Sequence, residues 1–271
     1  MRLALLITRR EITEVLRDLN LVGPMIAMPS LMAFIATLPL LGTAQTSTEM
    51  ITIVAGTLAA EQLGVTWMER FLLLTSTQQG EMLNQLLKAM TLPLFWIVAV
   101  ALTATLAADS FVGEKERDTI EPLLATPVSN QEIFIGKLIS AVVPAVVGTW
   151  IGIAVFSIGV YQTANPFFPR FLMMDTDWLA STFIIVPLMA IMSAGVAALI
   201  SARVATYRAA YQLNGLVVLP VITFLVPQTV ILFFLTPRAL TVLAGAVFVV
   251  DVLLIFIALR TFNREQLIRG R

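Results

Sequence analysis

Hydrophobic positions in this sequence do not alternate with polar ones; they run on. Six apolar stretches, at about 21–41, 89–108, 138–161, 178–200, 213–235 and 239–259, each approach the roughly 20 residues with which a helix crosses a hydrocarbon core of about 30 Å. None shows the one-sided pattern of a helix packed on a soluble core. Residues 2–19 behave differently, because Leu5, Ile12, Val15, Leu16 and Leu19 recur at helical spacing while Arg10, Glu14 and Arg17 fall opposite them. That pattern predicts an amphipathic helix lying flat on an anionic leaflet, although a solvated helix ahead of a span would read the same way. The fold class expected is therefore an all-α polytopic membrane protein, a single transmembrane domain over 1–271 with six spans.

Composition agrees with the pattern: 58% of residues are hydrophobic and 13% charged, with a mean hydropathy of +0.91, where a soluble domain carries about 25% charged residues. Net charge is zero, so electrostatic information lies only in where the charges fall. The segments assigned to the inside carry 13 of the 17 Lys and Arg residues, and Arg70, Lys88, Arg170 and Arg238 are the remainder. By the positive-inside bias both termini are cytoplasmic. A cleavable signal is not expected, because the apolar start at 3–7 is broken at once by Thr8, Arg9 and Arg10. The 42–88 segment reads as an outer loop bearing short surface helices, since Glu61, Glu69 and Arg70 make a continuous span costly there. Prolines punctuate the spans, and Pro144, Pro187 and Pro220 lie deep enough to permit bending or merely to mark irregular packing. Gly148 and Gly152 form a weak close-packing motif in the third span.

Candidate chemistry is sparse. With no Cys and no His, a Ser-His pair, a thiolate nucleophile and a Cys/His zinc site are excluded, and no two carboxylates share the spans. Asp251 is the one acidic residue well inside a span, and such a group is a functional candidate by default. It could line a translocation path, bind a cation, or hydrogen-bond a neighbour such as Asn214 or Ser193. No catalytic or metal-ligating set is expected.

The sharpest departure from oiliness is the segment 109–137, where Glu114, Lys115, Glu116, Arg117, Asp118 and Glu121 crowd between two spans. Ser129 followed by Glu132 fits a capping box, predicting a new helix from near Asn130 that runs through Lys137 into the third span. The result would be a polar helical elbow along the membrane surface. From the residues alone, a docking surface for another protein and a solvated connector that satisfies the charge bias are equal accounts.

The pattern Phe111, Gly113, Glu114, Lys115, Glu116, Arg117, then Thr119, Glu121, Leu123, Leu124, Thr126, Pro127, Val128, Ser129, and finally Gly136 and Lys137, resembles the signature of ABC-2 type transporter permeases. Asp118 stands where that family often has a small residue, and Pro122 where it often has an aliphatic one. The resemblance implies that 109–137 is the coupling segment seated on a cytoplasmic ATPase subunit, with Glu114, Lys115, Glu116, Arg117, Thr119 and Glu121 as the contact or shaping residues. The sequence has no phosphate-binding G-x-x-x-x-G-K-[ST] loop, so ATP and Mg would sit on that partner. The resemblance further implies two ATPase chains, a second permease chain, residence in a prokaryotic plasma membrane and no nucleic-acid partner. Substrates of similar permeases include sodium, drugs, peptides, lipids and polysaccharides, and the spans do not choose among them. An ion-gradient-coupled secondary transporter using Asp251 is the alternative.

Overall fold

The computed structural model describes residues 76–113, 129–164, 175–201 and 239–261, together with isolated positions at 13, 27, 31, 204, 206, 209, 212, 213 and 215. Within them the chain is helical, and four helices are long and apolar enough to cross a membrane. Helix α1 is Ser76–Ala108 and continues into a π-helical turn, Asp109–Gly113. Helix α2 is Asn130–Ala164. Helix α3, Thr176–Ser201, is α-helical over Thr176–Ala180 and Val186–Ser201, with a π-helical turn at Ser181–Ile185 between them. Helix α4 is Ala239–Thr261.

These are the expected second, third, fourth and sixth spans. The expected N-terminal amphipathic helix at 2–19 and the spans at 21–41 and 213–235 lie outside the described residues. One boundary differs. The sequence placed 76–88 in an outer loop, whereas these residues are the first turns of α1. At 1.5 Å per residue a 33-residue helix is about 50 Å long, more than the about 30 Å of hydrocarbon, so these polar turns stand beyond the membrane while remaining one helix with the span.

The packing has a simple order along the bundle axis. One apolar cluster joins Phe95 and Trp96 of α1, Phe156 of α2, Trp178 and Met189 of α3 and Val247 of α4. A second, toward the other end, joins Leu106 of α1 and Phe111 of the turn after it, Phe134 and Ala141 of α2, Ala197 and Ala198 of α3 and Ala258 of α4. Residue numbers rise from the first cluster to the second in α1, α3 and α4 and fall in α2, so α2 alone runs antiparallel. Helix α3 is the centre of the described bundle and packs on α1, α4 and α2, and α1 and α2 also pack on each other. The outer face of α4, with Val242, Phe248, Val249, Leu253 and Phe256, is exposed and apolar between Thr241 and Arg260 near its ends, a composition suited to lipid.

At the first-cluster end, Lys88 is buried and its ammonium pairs with Asp175. The other oxygen of Asp175 caps α3 by accepting from the Trp178 N–H at 3.0 Å. Asp175→Ala would remove a helix cap and leave the Lys88 charge unpaired. Because the carboxylate is 40% exposed and partly screened, the expected loss is about 1–3 kcal/mol, read as a lower unfolding midpoint of the solubilised chain. Adding Lys88→Met should recover most of it, since the stranded charge is then gone. An unchanged midpoint in Asp175→Ala alone would contradict this account.

Candidate functional site

The two ends of the elbow meet. Ser129 Oγ accepts from the Glu132 N–H at 3.2 Å, and the Glu132 carboxylate accepts from the Ser129 N–H at 3.2 Å. This is the reciprocal capping box expected from the sequence, and α2 starts at Asn130 as its spacing requires. One turn and a half further on, Lys137 is only 3% exposed. Its ammonium donates to the Ser110 carbonyl in the π-helical turn that ends α1 and lies 5.9 Å from the centre of the Phe111 ring. The Phe111 and Phe134 rings pack at 5.9 Å with a 46° tilt. Phe111 and Gly136-Lys137, which open and close the motif in sequence, therefore come together in space. The proposed contact residues Glu114, Lys115, Glu116, Arg117, Thr119 and Glu121 lie outside the described residues, between these two anchored ends.

A second polar locus lies in α3, and sequence reasoning saw only its proline. In the π-helical turn the Val186 N–H donates to the Ser181 carbonyl, five residues back. The next donor in that register would be residue 187, which is proline and has no N–H. The Thr182 carbonyl it would have served instead accepts from the Trp150 indole of α2 at 2.8 Å. The Ser181 hydroxyl accepts from the Trp96 indole of α1 at 2.9 Å. Trp150 thus supplies the donor that the proline lacks, Trp96 holds a side chain of the same turn, and the Thr182 hydroxyl is left without a partner among the described residues. Pro187 and the indoles at 96 and 150 were the available signals, but no spacing rule connects them.

Asp251 lies on the inward face of α4, in line with Val247 one turn before it and Ala258 two turns after it. Leu254 on the same face approaches so near to Gly195 of α3 that a Cβ there would stand 3.4 Å from the leucine Cβ. The carboxyl group is 3% exposed, and neither oxygen has a hydrogen-bond partner among the described residues. A bond to Ser193, one of the two neighbours named from the sequence, is not made, because that hydroxyl donates to the Val100 carbonyl of α1 at 2.8 Å. Asn214 lies outside the described residues. Among the described residues no cluster of His, Cys, Asp or Glu could hold a metal.

Among the described residues the arrangement offers the two anchored ends of a polar segment, a bundle behind them and a carboxyl without a partner deep in one span. These residues do not assemble a nucleophile, base and oxyanion site. Among curated proteins none matches the chain. The model for the ABC-2 type transporter family matches residues 2–226, which include the whole elbow and three of the four described spans, and the chain belongs to that family.

Proposed function

We propose that this chain is the membrane-spanning permease of an ATP-driven exporter and that the segment between α1 and α2 receives the work of ATP hydrolysis from a separate subunit. The observation that carries the reading is the family match over 2–226. A member of this family is a non-catalytic transmembrane subunit that pairs with a cytoplasmic ATPase. In the finer reading Glu114, Lys115, Glu116, Arg117, Thr119 and Glu121 form the docking surface. Two ATPase chains, carrying ATP and Mg, act on this permease and a second permease chain in the plasma membrane, with both termini cytoplasmic.

Bundle geometry supports the six-span topology. Because α3 and α4 are parallel, the chain leaves α3 at one end of the bundle and enters α4 at the other. The span expected at 213–235 supplies the return crossing. The pairing of Lys88 with Asp175 likewise puts together two residues that the charge bias assigns to one side, and Lys137 meets Ser110 at the opposite end.

Asp251 is the candidate lining residue of the translocation path. Its carboxyl group, without a hydrogen-bond partner among the described residues, also favours a second reading, in which an ion gradient drives transport through that residue. One measurement separates the two. Purified chain alone should hydrolyse no ATP; reconstituted with the ATPase, it should export a compound that stimulates hydrolysis, and export should persist when an ionophore collapses ion gradients. Export that needs no ATPase and stops with the gradient would overturn the proposal in favour of the second reading.

A further inference from the structure

A lysine near the end of a span ordinarily sends its charge outward to the interface, because an ammonium is costly to bury. Lys137 does the reverse. It is more deeply buried than its neighbours Glu132 and Ile135, and its charge is turned across the bundle to the end of α1. Two groups there are among its contacts. The Ser110 carbonyl accepts a hydrogen bond from it, in the π-helical turn that follows α1. The Phe111 ring presents its face at 5.9 Å. Phe134, one turn before Lys137 on α2, closes against that ring. The capping box of Ser129 and Glu132 then sets the direction in which the chain enters α2.

We propose that Lys137 is a positioning residue: it clasps the end of α1 to the start of α2, so that a displacement of the 114–128 segment moves both helices as one body. The functional half of this inference rests on the coupling role proposed above; the clasp itself does not. Without Lys137 the two helices would still pack through Phe95 and Phe156, whose rings lie 5.5 Å apart deeper in the bundle. The apolar contacts at their elbow ends, Phe111 on Phe134 among them, would then slide under a push on the segment, which would be absorbed at 113 and 129 instead of reaching the spans.

The absence of cysteine makes a direct test available. Thr105→Cys on α1 and Gln131→Cys on α2 carry a pair of spin labels, in the full chain in vesicles of phosphatidylethanolamine and phosphatidylglycerol. The otherwise unsubstituted chain should give a single narrow distance peak. Lys137→Met, which keeps length and apolar packing but removes charge and donors, should lose that peak, and Lys137→Arg should restore it. In the complex, Lys137→Met should still co-purify with the ATPase yet lose ATP-driven export. A substitution that only weakened the fold would lower the unfolding midpoint without changing the distance. A narrow peak that survives Lys137→Met overturns the clasp, and a lost peak with undiminished export overturns its part in coupling. If even the unsubstituted chain fails to bind the ATPase, the coupling reading falls while the distance peak still decides the clasp. Should Lys137→Met not reach the membrane, Lys137→Gln is held to the same criterion.

Discussion

Exchanging the charges at two positions of the elbow, Glu114→Arg together with Arg117→Glu, should abolish co-purification of the chain with its ATPase. The exchange leaves net charge unchanged. At this i, i+3 spacing it also preserves any ion pair the two residues make with each other on a helix. What it changes is the sign presented at each point to an outside surface. Charged pairs that are desolvated on docking are worth about 2–5 kcal/mol when one partner is lost, and juxtaposed like charges add to that. Affinity should therefore fall by at least about 100-fold, enough to remove the ATPase from a pull-down at micromolar protein. The capping box and the Lys137 contacts with Ser110 and Phe111 lie outside the exchanged positions, so the labelled distance between α1 and α2 should not change. Normal assembly and export after the double exchange would sink the docking assignment, and the alternative account of the segment as a solvated connector would then stand.

What could be read from the sequence is what depends on neighbours in sequence. Apolar runs long enough to span are local, and the helices at 130–164, 176–201 and 239–261 begin and end within a few turns of the expected limits. The capping box is local too, since its two residues are three apart, and it forms as expected. The misplaced start of α1 has the opposite character. Glu81 and Lys88 interrupt the apolar run, and what makes a buried Lys88 tolerable is Asp175, 87 residues later. The π-helical turn of α3 is likewise settled by indoles at 96 and 150, from helices whose adjacency no sequence period encodes. Ser193 was named as a neighbour of Asp251, but its hydroxyl donates to the Val100 carbonyl of α1, a contact between helices that no spacing encodes. Lys137 carried a signal in the Gly-Lys that closes the motif, but its inward turn follows from Phe111 and Ser110 being across the bundle. The family match covers the elbow as a whole; it does not say which of its residues hold the ends and which meet a partner.

Replacing Asp251 by threonine should make the chain more stable and stop it working. A buried polar group without a partner costs about 1–3 kcal/mol in measured protein series and more in pure hydrocarbon. Asp251 is such a group, 3% exposed and with neither oxygen partnered among the described residues. Threonine has nearly the same volume, and in these helices hydroxyls satisfy themselves. Thr103 donates to the Ala99 carbonyl, Thr149 to Ala145, Ser157 to Ile153 and Ser201 to Ala197, each four residues back. A threonine at 251 would donate in the same way to Val247. The unfolding midpoint of the solubilised chain should therefore rise, by the equivalent of about 1–3 kcal/mol. Retaining a destabilising carboxyl where a self-satisfied hydroxyl would fit is what a working residue looks like, because function and stability compete at such positions. Export should accordingly be lost in Asp251→Thr while co-purification with the ATPase is unchanged. A lower midpoint with export intact would mean that the carboxyl is held by a structural partner, and would remove Asp251 from the path.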